Sequence, residues 1–430
     1  MRIGLAGVGT VGGGLLQLLQ GPNPKVGDGL LEVVAVSARN RTRKRDVDIS
    51  AYEWFDDPVE LAESANIDVF VELIGGSDGP AKKAVEVALK RGVNVVTGNK
   101  ALLAMHGAEL AQLSEASGGK LAFEAAVAGG VPIVKALRES LGGAEVRSLS
   151  GILNGTCNYL LTEMEAGGRA FDDVLADAQR LGYAEADPTT DIGGFDAAHK
   201  ITLLAAIAFA AKPDFAHVKI EGVDTVTLHD IRLAGKLGYR IKLIAKAERT
   251  NGAIVMTVRP MLLAFDHPLA NISGTLNAVV AEADPTGQLT FIGRGAGSGP
   301  TAAAVAADLL DLLHDRAGAA FGRPVAQLAA AARATPVERG RYYVRVLVKD
   351  EPGVIADVAE ELGRQEISIE SFLQMPSYDA LVVPIVLTTQ PCARAKLDDA
   401  VRAIENLPAV SETPRVMPID ESGGRSRFWS

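Results

Sequence analysis

The chain has 430 residues, 48% apolar and 22% charged, with a formal net charge of −10, which suits about two to four soluble domains with substantial cores. The acidic balance excludes nucleic acid as a bulk partner, and a complement of only two cysteines, Cys157 and Cys392, excludes a disulfide framework. The opening MRIGLAGVGT lacks the basic head and cleavage site of a signal peptide. The most apolar stretch, residues 201–211, is too short to cross a bilayer, so the reading is a cytoplasmic enzyme with no membrane partner.

Residues 1–130 alternate short apolar runs with helical patterns. Strands are expected at 2–6, 32–37, 68–73, 94–97 and 120–124, with helices at 80–91 and 107–117. Such alternation builds βαβ units around a mostly parallel sheet. The first strand runs straight into Gly7-Val8-Gly9-Thr10-Val11-Gly12, a G-x-G-x-x-G set between strand and helix. Gly7 permits the tight turn, Gly9 lets the backbone approach a pyrophosphate, and Gly12 lets the helix pack on the strand. The helix N-terminus then offers N–H groups and a positive dipole to phosphates. The second strand ends at Arg39, where an acidic residue would hold the ribose hydroxyl of NAD, and a basic run continues to Arg45. An arginine there accepts a 2′-phosphate, which favours NADP, with NAD as the alternative. A merely solvated basic loop is the other reading of the run.

Residues 131–330 read as longer helices with strands such as 146–153 and 238–247. The stretch 178–200 concentrates Glu185, Asp187, Asp191, Asp196 and Lys200 around two glycines and a proline. Asp196 and Lys200 are four apart at the start of a helix, so they share one face. On spacing alone the pair also reads as an ordinary surface ion pair. The acidic residues lack the alternate spacing of a calcium loop. A linker is expected at 331–340. A compact βαββαβ pattern follows at 342–348, 353–364, 367–375, 380–387, 392–406 and 409–417, and residues 421–430 are expected to be disordered.

The stretch 178–200 resembles the homoserine dehydrogenase family. Ala178, Gly182-Tyr183, Asp187-Pro188, Asp191, Gly194, Asp196 and Lys200 all stand at positions of that family's signature. Thr97-Gly98-Asn99-Lys100-Ala101, Gly151-Ile152-Leu153-Asn154-Gly155-Thr156 and Gly293-Arg294-Gly295-Ala296-Gly297 agree with it, and the resemblance covers roughly residues 1–320. It implies an α/β chain in three parts: a Rossmann-type dinucleotide-binding domain at 1–130, an α/β catalytic and dimerisation domain at 131–330, and a βαββαβ ACT regulatory domain at 341–420. The implied reaction is NAD(P)H-dependent, reversible reduction of L-aspartate 4-semialdehyde to L-homoserine, in threonine, methionine and isoleucine biosynthesis. Lys200 is then the proton donor or acceptor and Asp196 its catalytic neighbour. Glu185 binds the substrate ammonium, and Asp191 and Asp196 line the substrate pocket. Lys100 stands at the cofactor–substrate junction, and Gly182 and Gly297 lie on the nicotinamide side. The resemblance further implies a monovalent cation, sodium, held by Glu124 and by carbonyls of Val127, Gly129 and Val131. All-oxygen ligation suits a hard cation; a buried glutamate paired with a helix is the alternative. A homodimer or homotetramer is the implied assembly.

Val348-Lys349-Asp350-Glu351-Pro352-Gly353-Val354-Ile355, strand then turn then helix, resembles an ACT domain. Its free N–H groups would hold an amino-acid carboxylate, and family precedent implies threonine as feedback effector. The stretch Glu366-Ile367-Ser368-Ile369 departs from the glycine and asparagine common there, so a dimerisation module without ligand is the alternative. The linker makes residues 341–430 a removable unit on this reading. Two rival functions are weighed. An aldehyde-oxidising semialdehyde dehydrogenase would need an activated cysteine, for which Cys157 is the candidate. A non-enzymatic NADP sensor would not need Asp196 and Lys200 together.

Overall fold

The structure, a computed structural model, describes residues 1–22, 26, 29–250, 252–330, 338–374 and 382–420. The tail expected at 421–430 and most of the linker expected at 331–340 lie outside these residues. The chain opens with six strands: β1 (Arg2–Ala6), β2 (Glu32–Ser37), β3 (Glu53–Phe55), β4 (Val69–Glu72), β5 (Asn94–Thr97) and β6 (Leu121–Ala122). They form one sheet in the order β3-β2-β1-β4-β5-β6, every pairing parallel. These strands are nearly all apolar because both faces are covered. Ile3, Leu5, Val69 and Val71 pack into one core and Ala6, Phe70 and Val95 into the other. The order reverses between β1 and β4, and in an open sheet that switch point is where a ligand crevice forms.

Two local differences from the expected elements have simple causes. The strand β3, Glu-Trp-Phe, is too short to show a period. The helix Lys100–Ser117 starts seven residues earlier than 107 because Asn99 caps it, accepting the Leu102 N–H at 3.0 Å. The dinucleotide-binding unit is also completed from far along the chain. The helix Ser298–Leu313 buries Ala302, Val305 and Leu309 in the core that holds Leu15 and Leu16 of the helix Thr10–Gln20.

The remaining strands are β7 (Glu145–Ile152), β8 (Val218–Ile220), β9 (Tyr239–Thr250), β10 (Ala253–Ala264), β11 (Leu276–Asp284), β12 (Gly287–Arg294), β13 (Arg339–Lys349), β14 (Ile369–Gln374), β15 (Val382–Thr389), β16 (Cys392–Ala393) and β17 (Arg415–Asp420). They build a second sheet along the path β12-β11-β7-β9-β10-β17-β13-β15-β14, with β8 beside β10 and β16 beside β13. The C-terminal module is therefore not held by its linker alone: β17 continues the catalytic sheet in parallel with β10, Leu262 opposite Ile419 and Leu263 opposite Asp420. A buried ion pair crosses the same junction. Arg345 Nε donates to Asp230 Oδ1 at 2.7 Å, and the Tyr343 hydroxyl donates to the same oxygen at 3.2 Å. Asp230 is fixed in turn by a capping box with Thr227 at the start of the helix Leu228–Lys236. Removing the C-terminal unit would therefore uncover the β10 edge and leave Asp230 without Arg345.

Candidate active site

A cavity of about 830 Å³ opens at the switch point, lined by Gly7, Val8, Gly9, Ser37, Arg39 and the loop 73–76. Thr10 lines a smaller one beside it. The glycine motif behaves as its spacing requires. Gly7 has φ of 101°, and a Cβ there would come within 2.5 Å of the Leu73 carbonyl oxygen. A Cβ on Gly12 would collide with the Gly7 carbonyl, whereas one on Gly9 meets only open space. The backbone is thus bare at Gly9, on the cavity wall, and tight where helix meets strand. Val11 sits in the first turn of the helix Thr10–Gln20, whose N-cap Gly9 makes no side-chain cap bond. Arg39 is exposed at the cavity wall. Its neighbour Arg45 is committed elsewhere: it donates to the carbonyls of Val8, Arg43 and Asn40 at 3.2, 2.9 and 2.7 Å. The basic run therefore divides into a loop organiser and a free-standing arginine.

Behind this crevice the acidic stretch folds onto the sheet. Gly194, with φ of 84°, starts the helix Phe195–Ala208. Asp196 and Lys200 lie on its buried face, 5% and 8% exposed, which rules out the surface ion pair. Lys200 Nζ donates to Asp196 Oδ2 and to the Leu153 carbonyl, both at 2.7 Å. Two of three ammonium hydrogens are thereby engaged and one is left. Lys100 reaches Asp196 Oδ1 at 3.0 Å. Asn154, which caps the helix Gly155–Gly167, donates its two amide hydrogens to Asp191 Oδ1 at 2.8 Å and Asp196 Oδ2 at 2.9 Å. Asp196 therefore gathers two lysines and an amide. Burial alone would raise its carboxyl, but Lys200 and then Lys100 outweigh that and hold it well below the usual range. Burial draws the Lys200 ammonium down from its ordinary range, opposed by Asp196. Asp196 foremost holds Lys100 above its own, with Asp191 and Glu185 adding to it.

Glu185 is exposed, on the loop anchored where Gln179 Nε2 donates to its carbonyl at 3.1 Å. Gly182, with φ of 77°, turns the chain after the helix Phe171–Arg180. The adjoining Tyr183 carbonyl accepts from Thr156 Oγ1 at 2.8 Å, tying this loop to the Asn154 helix. Gly297 caps the helix Ser298–Leu313 with φ of 113°, and Ser298 Oγ donates to the Thr10 carbonyl at 2.9 Å, so it lies beside the glycine motif. Asn154 and the Leu153 carbonyl were not read as site groups from sequence. An asparagine between strand and helix signals a cap, and nothing local signals the second use of its amide. Cys157 is fully buried, burial pushes its thiol well up, and Sγ donates to the Asp191 carbonyl at 3.2 Å. It is packing and not an activated nucleophile.

The region expected to hold a cation is built around Glu124, 2% exposed. Its carboxylate accepts the N–H groups of Val134 at 3.1 Å and Lys135 at 2.8 Å, while Asp308 Oδ2 accepts the Glu124 N–H at 2.8 Å. The pairing with a helix start, raised as the alternative, is thus present. Burial, and then the charge of Asp308, push Glu124 up to about 7, and burial pushes Asp308 up to about 6. The turn that follows is strained, with Ala128 at φ of 53° and Gly129 at 34°. The Val131 carbonyl accepts from Ile133 N–H at 2.7 Å. Among the described residues no group of three or more His, Cys, Asp or Glu could hold a metal ion. No helix among them is long and apolar enough to cross a membrane.

Comparison with known proteins agrees with this arrangement. The family model for the homoserine dehydrogenase NAD-binding domain matches residues 7–124, that for homoserine dehydrogenase matches 132–310, and that for the ACT domain matches 342–409. A homoserine dehydrogenase of Neisseria gonorrhoeae is 41% identical over 96% of this chain and 97% of its own length. The crystal structure of a homoserine dehydrogenase from Thiobacillus denitrificans superposes with a TM-score of 0.91 at 39% identity, covering 98% of this chain and 99% of that one. A hyperthermophilic archaeal homoserine dehydrogenase in complex with NADPH matches with a TM-score of 0.63 at 27% identity, over 73% of this chain and 98% of its own. With a glycine-lined dinucleotide crevice, a buried Lys200–Asp196 pair behind it and relatives matching nearly end to end, the chain belongs to the homoserine dehydrogenase family and carries an ACT domain.

Proposed function

We propose that the chain interconverts L-aspartate 4-semialdehyde and L-homoserine, with Lys200 moving the proton at the reacting oxygen. The observation that carries this is the buried Lys200 ammonium with two of its three hydrogens engaged and one left for substrate. The dinucleotide, when bound, supplies or takes up the hydride. As the aldehyde carbon is reduced, its oxygen becomes an alkoxide that needs a proton and nearby positive charge. Lys200 provides the proton and Lys100 a second positive charge, while Asp196 sets the position of both. Glu185 is the carboxylate for the substrate ammonium, and Asp191 stays in the pocket on Asn154. The donor that the NADP 2′-phosphate needs is Arg39, standing free at the cavity wall, and the archaeal relative's complex with NADPH supports the same preference.

The Glu124 region suits sodium in its chemistry: a buried carboxylate whose charge is under-compensated, next to a strained turn bearing the carbonyls of Val127, Gly129 and Val131. Self-assembly is supported by exposed apolar residues on the two edge strands, Ile292 on β12 and Ile369 and Phe372 on β14, surfaces that a second copy would cover. Threonine is the proposed effector, at the uncapped start of the helix Val354–Arg364. The Glu366 departure is visible in the backbone, where φ of 58° is a conformation that glycine would adopt more easily.

Purified protein is expected to oxidise homoserine with NADP⁺ in the absence of phosphate. Lys200→Ala should lower kcat by about 10²–10⁴, the usual range for a lost general acid or base, with NADPH binding retained. Near-normal turnover in that variant would overturn the assignment.

A further inference from the structure

Between the dinucleotide crevice and the Lys100–Asp196 ion pair runs a hydrogen-bonded bridge that the proton chemistry does not use. The loop after β4 lines the crevice, and Gly75 and Gly76 take left-handed φ of 88° and 89°. Such a pair has little conformational preference of its own, so its shape is set by what grips it. On one side the buried Glu72 carboxylate accepts the N–H groups of Ile74 at 2.7 Å and Gly75 at 3.0 Å. On the other, Asn99 Nδ2 donates to the Gly76 carbonyl at 2.7 Å. Thr97 joins the two grips: its hydroxyl donates to Glu72 at 2.5 Å and accepts the Asn99 N–H at 3.0 Å. Asn99 Oδ1 meanwhile caps the helix whose first residue is Lys100, and Lys100 holds Asp196.

We propose that Asn99 is a positioning residue that couples occupancy of the dinucleotide crevice to the placement of Lys100, so that dinucleotide and amino-acid substrate bind with positive cooperativity. This rests on the reading of Lys100 as standing at the junction of the two ligands. The chemistry singles out asparagine. A cap needs a short side-chain acceptor, which serine, threonine and aspartate also provide, but only the amide donates at the same time from its other atom. A ligand that settles the Gly75–Gly76 loop thereby orders the Asn99 amide, and the opposite end of that amide sets the first turn carrying Lys100. The second ligand then meets a lysine already placed.

NADPH and homoserine cannot react with each other, so their ternary complex allows binding to be measured without turnover. The homoserine Kd would be determined by calorimetry with and without saturating NADPH, in the unaltered protein and in Asn99→Ser. Coupling between two sites commonly amounts to about 5–150-fold. The unaltered protein should bind homoserine at least about fivefold tighter with NADPH present. In Asn99→Ser, which keeps a cap but cannot reach Gly76, that ratio should fall to within about twofold. Asn99→Asp, a comparable cap without amide hydrogens, is the second variant and should behave alike if the serine protein folds poorly. A ratio near one in the unaltered protein, or an undiminished ratio in the variants, overturns the proposal. Homoserine oxidation by the unaltered protein reports separately on the reaction.

Discussion

If Asp196 supports the charge of Lys200, neutralising it should move the pH profile in a direction that a structural role would not produce. In the folded protein, burial draws the Lys200 ammonium below its ordinary range and the Asp196 carboxylate at 2.7 Å opposes that fall. Asp196→Asn keeps the shape and an acceptor oxygen but removes the opposing charge. A hydrogen bond to a charged group is worth about 1.5–3 kcal/mol, equivalent to about one to two pH units of ammonium stability. Removing the anion penalises the cation, so the neutral base forms at lower pH. With Lys200 as the proposed base, oxidation of homoserine needs it neutral, and kcat/KM should then rise with pH as the lysine loses its proton. The midpoint of that rise should move about one to two units toward acid in Asp196→Asn. Initial rates at low homoserine and saturating NADP⁺, taken across pH, measure it. The midpoint is a ratio along one profile, so it stays readable although the absolute rate falls. An unmoved midpoint, or one shifted to alkali, would refute the pairing of these residues as base and support.

Other expectations follow from the same geometry. Arg39→Ala should weaken NADPH far more than NADH in steady-state comparison, since NAD has no 2′-phosphate to lose; equal losses would make Arg39 structural. Glu124 and Asp308 stand at about 7 and about 6, above their unfolded values. The folded state then keeps protons that the unfolded chain has released, and stability should fall as pH rises from about 4 to about 7. A sodium ion at Glu124 favours the ionised carboxylate. Sodium chloride should therefore raise the thermal midpoint over choline chloride at about pH 8 and not at about pH 5; identical curves in both salts would count against a cation there. Arg345→Ala strands the buried Asp230 carboxylate, a loss of about 3–5 kcal/mol for a broken buried pair. Calorimetry should show a clear drop in Tm, and an unchanged Tm would mean that the catalytic and C-terminal sheets are not locked as described.

What the sequence determined by itself was chemistry imposed locally by residue type and spacing. Gly7 and Gly12 were readable because a tight turn and a strand–helix contact each exclude a side chain at a fixed offset. Asp196 and Lys200 were placed on one face by helical periodicity, and their family signature added the reaction. Tertiary structure decided what those residues meet. Lys200 rests on a carbonyl 47 positions upstream, Leu153, and Asp196 on an amide 42 positions upstream, Asn154. No local pattern encodes such separations. The helix Ser298–Leu313 advertises an apolar face in its sequence but not the partner it covers, since apolar burial is non-directional. For β17 the reason is similar. Alternation along a strand selects the face it presents, whereas its edge carries the same N–H and C=O groups as every other strand. Only the assembled sheet could choose β10 as its neighbour and so turn a module expected to hang on a linker into the continuation of the catalytic sheet.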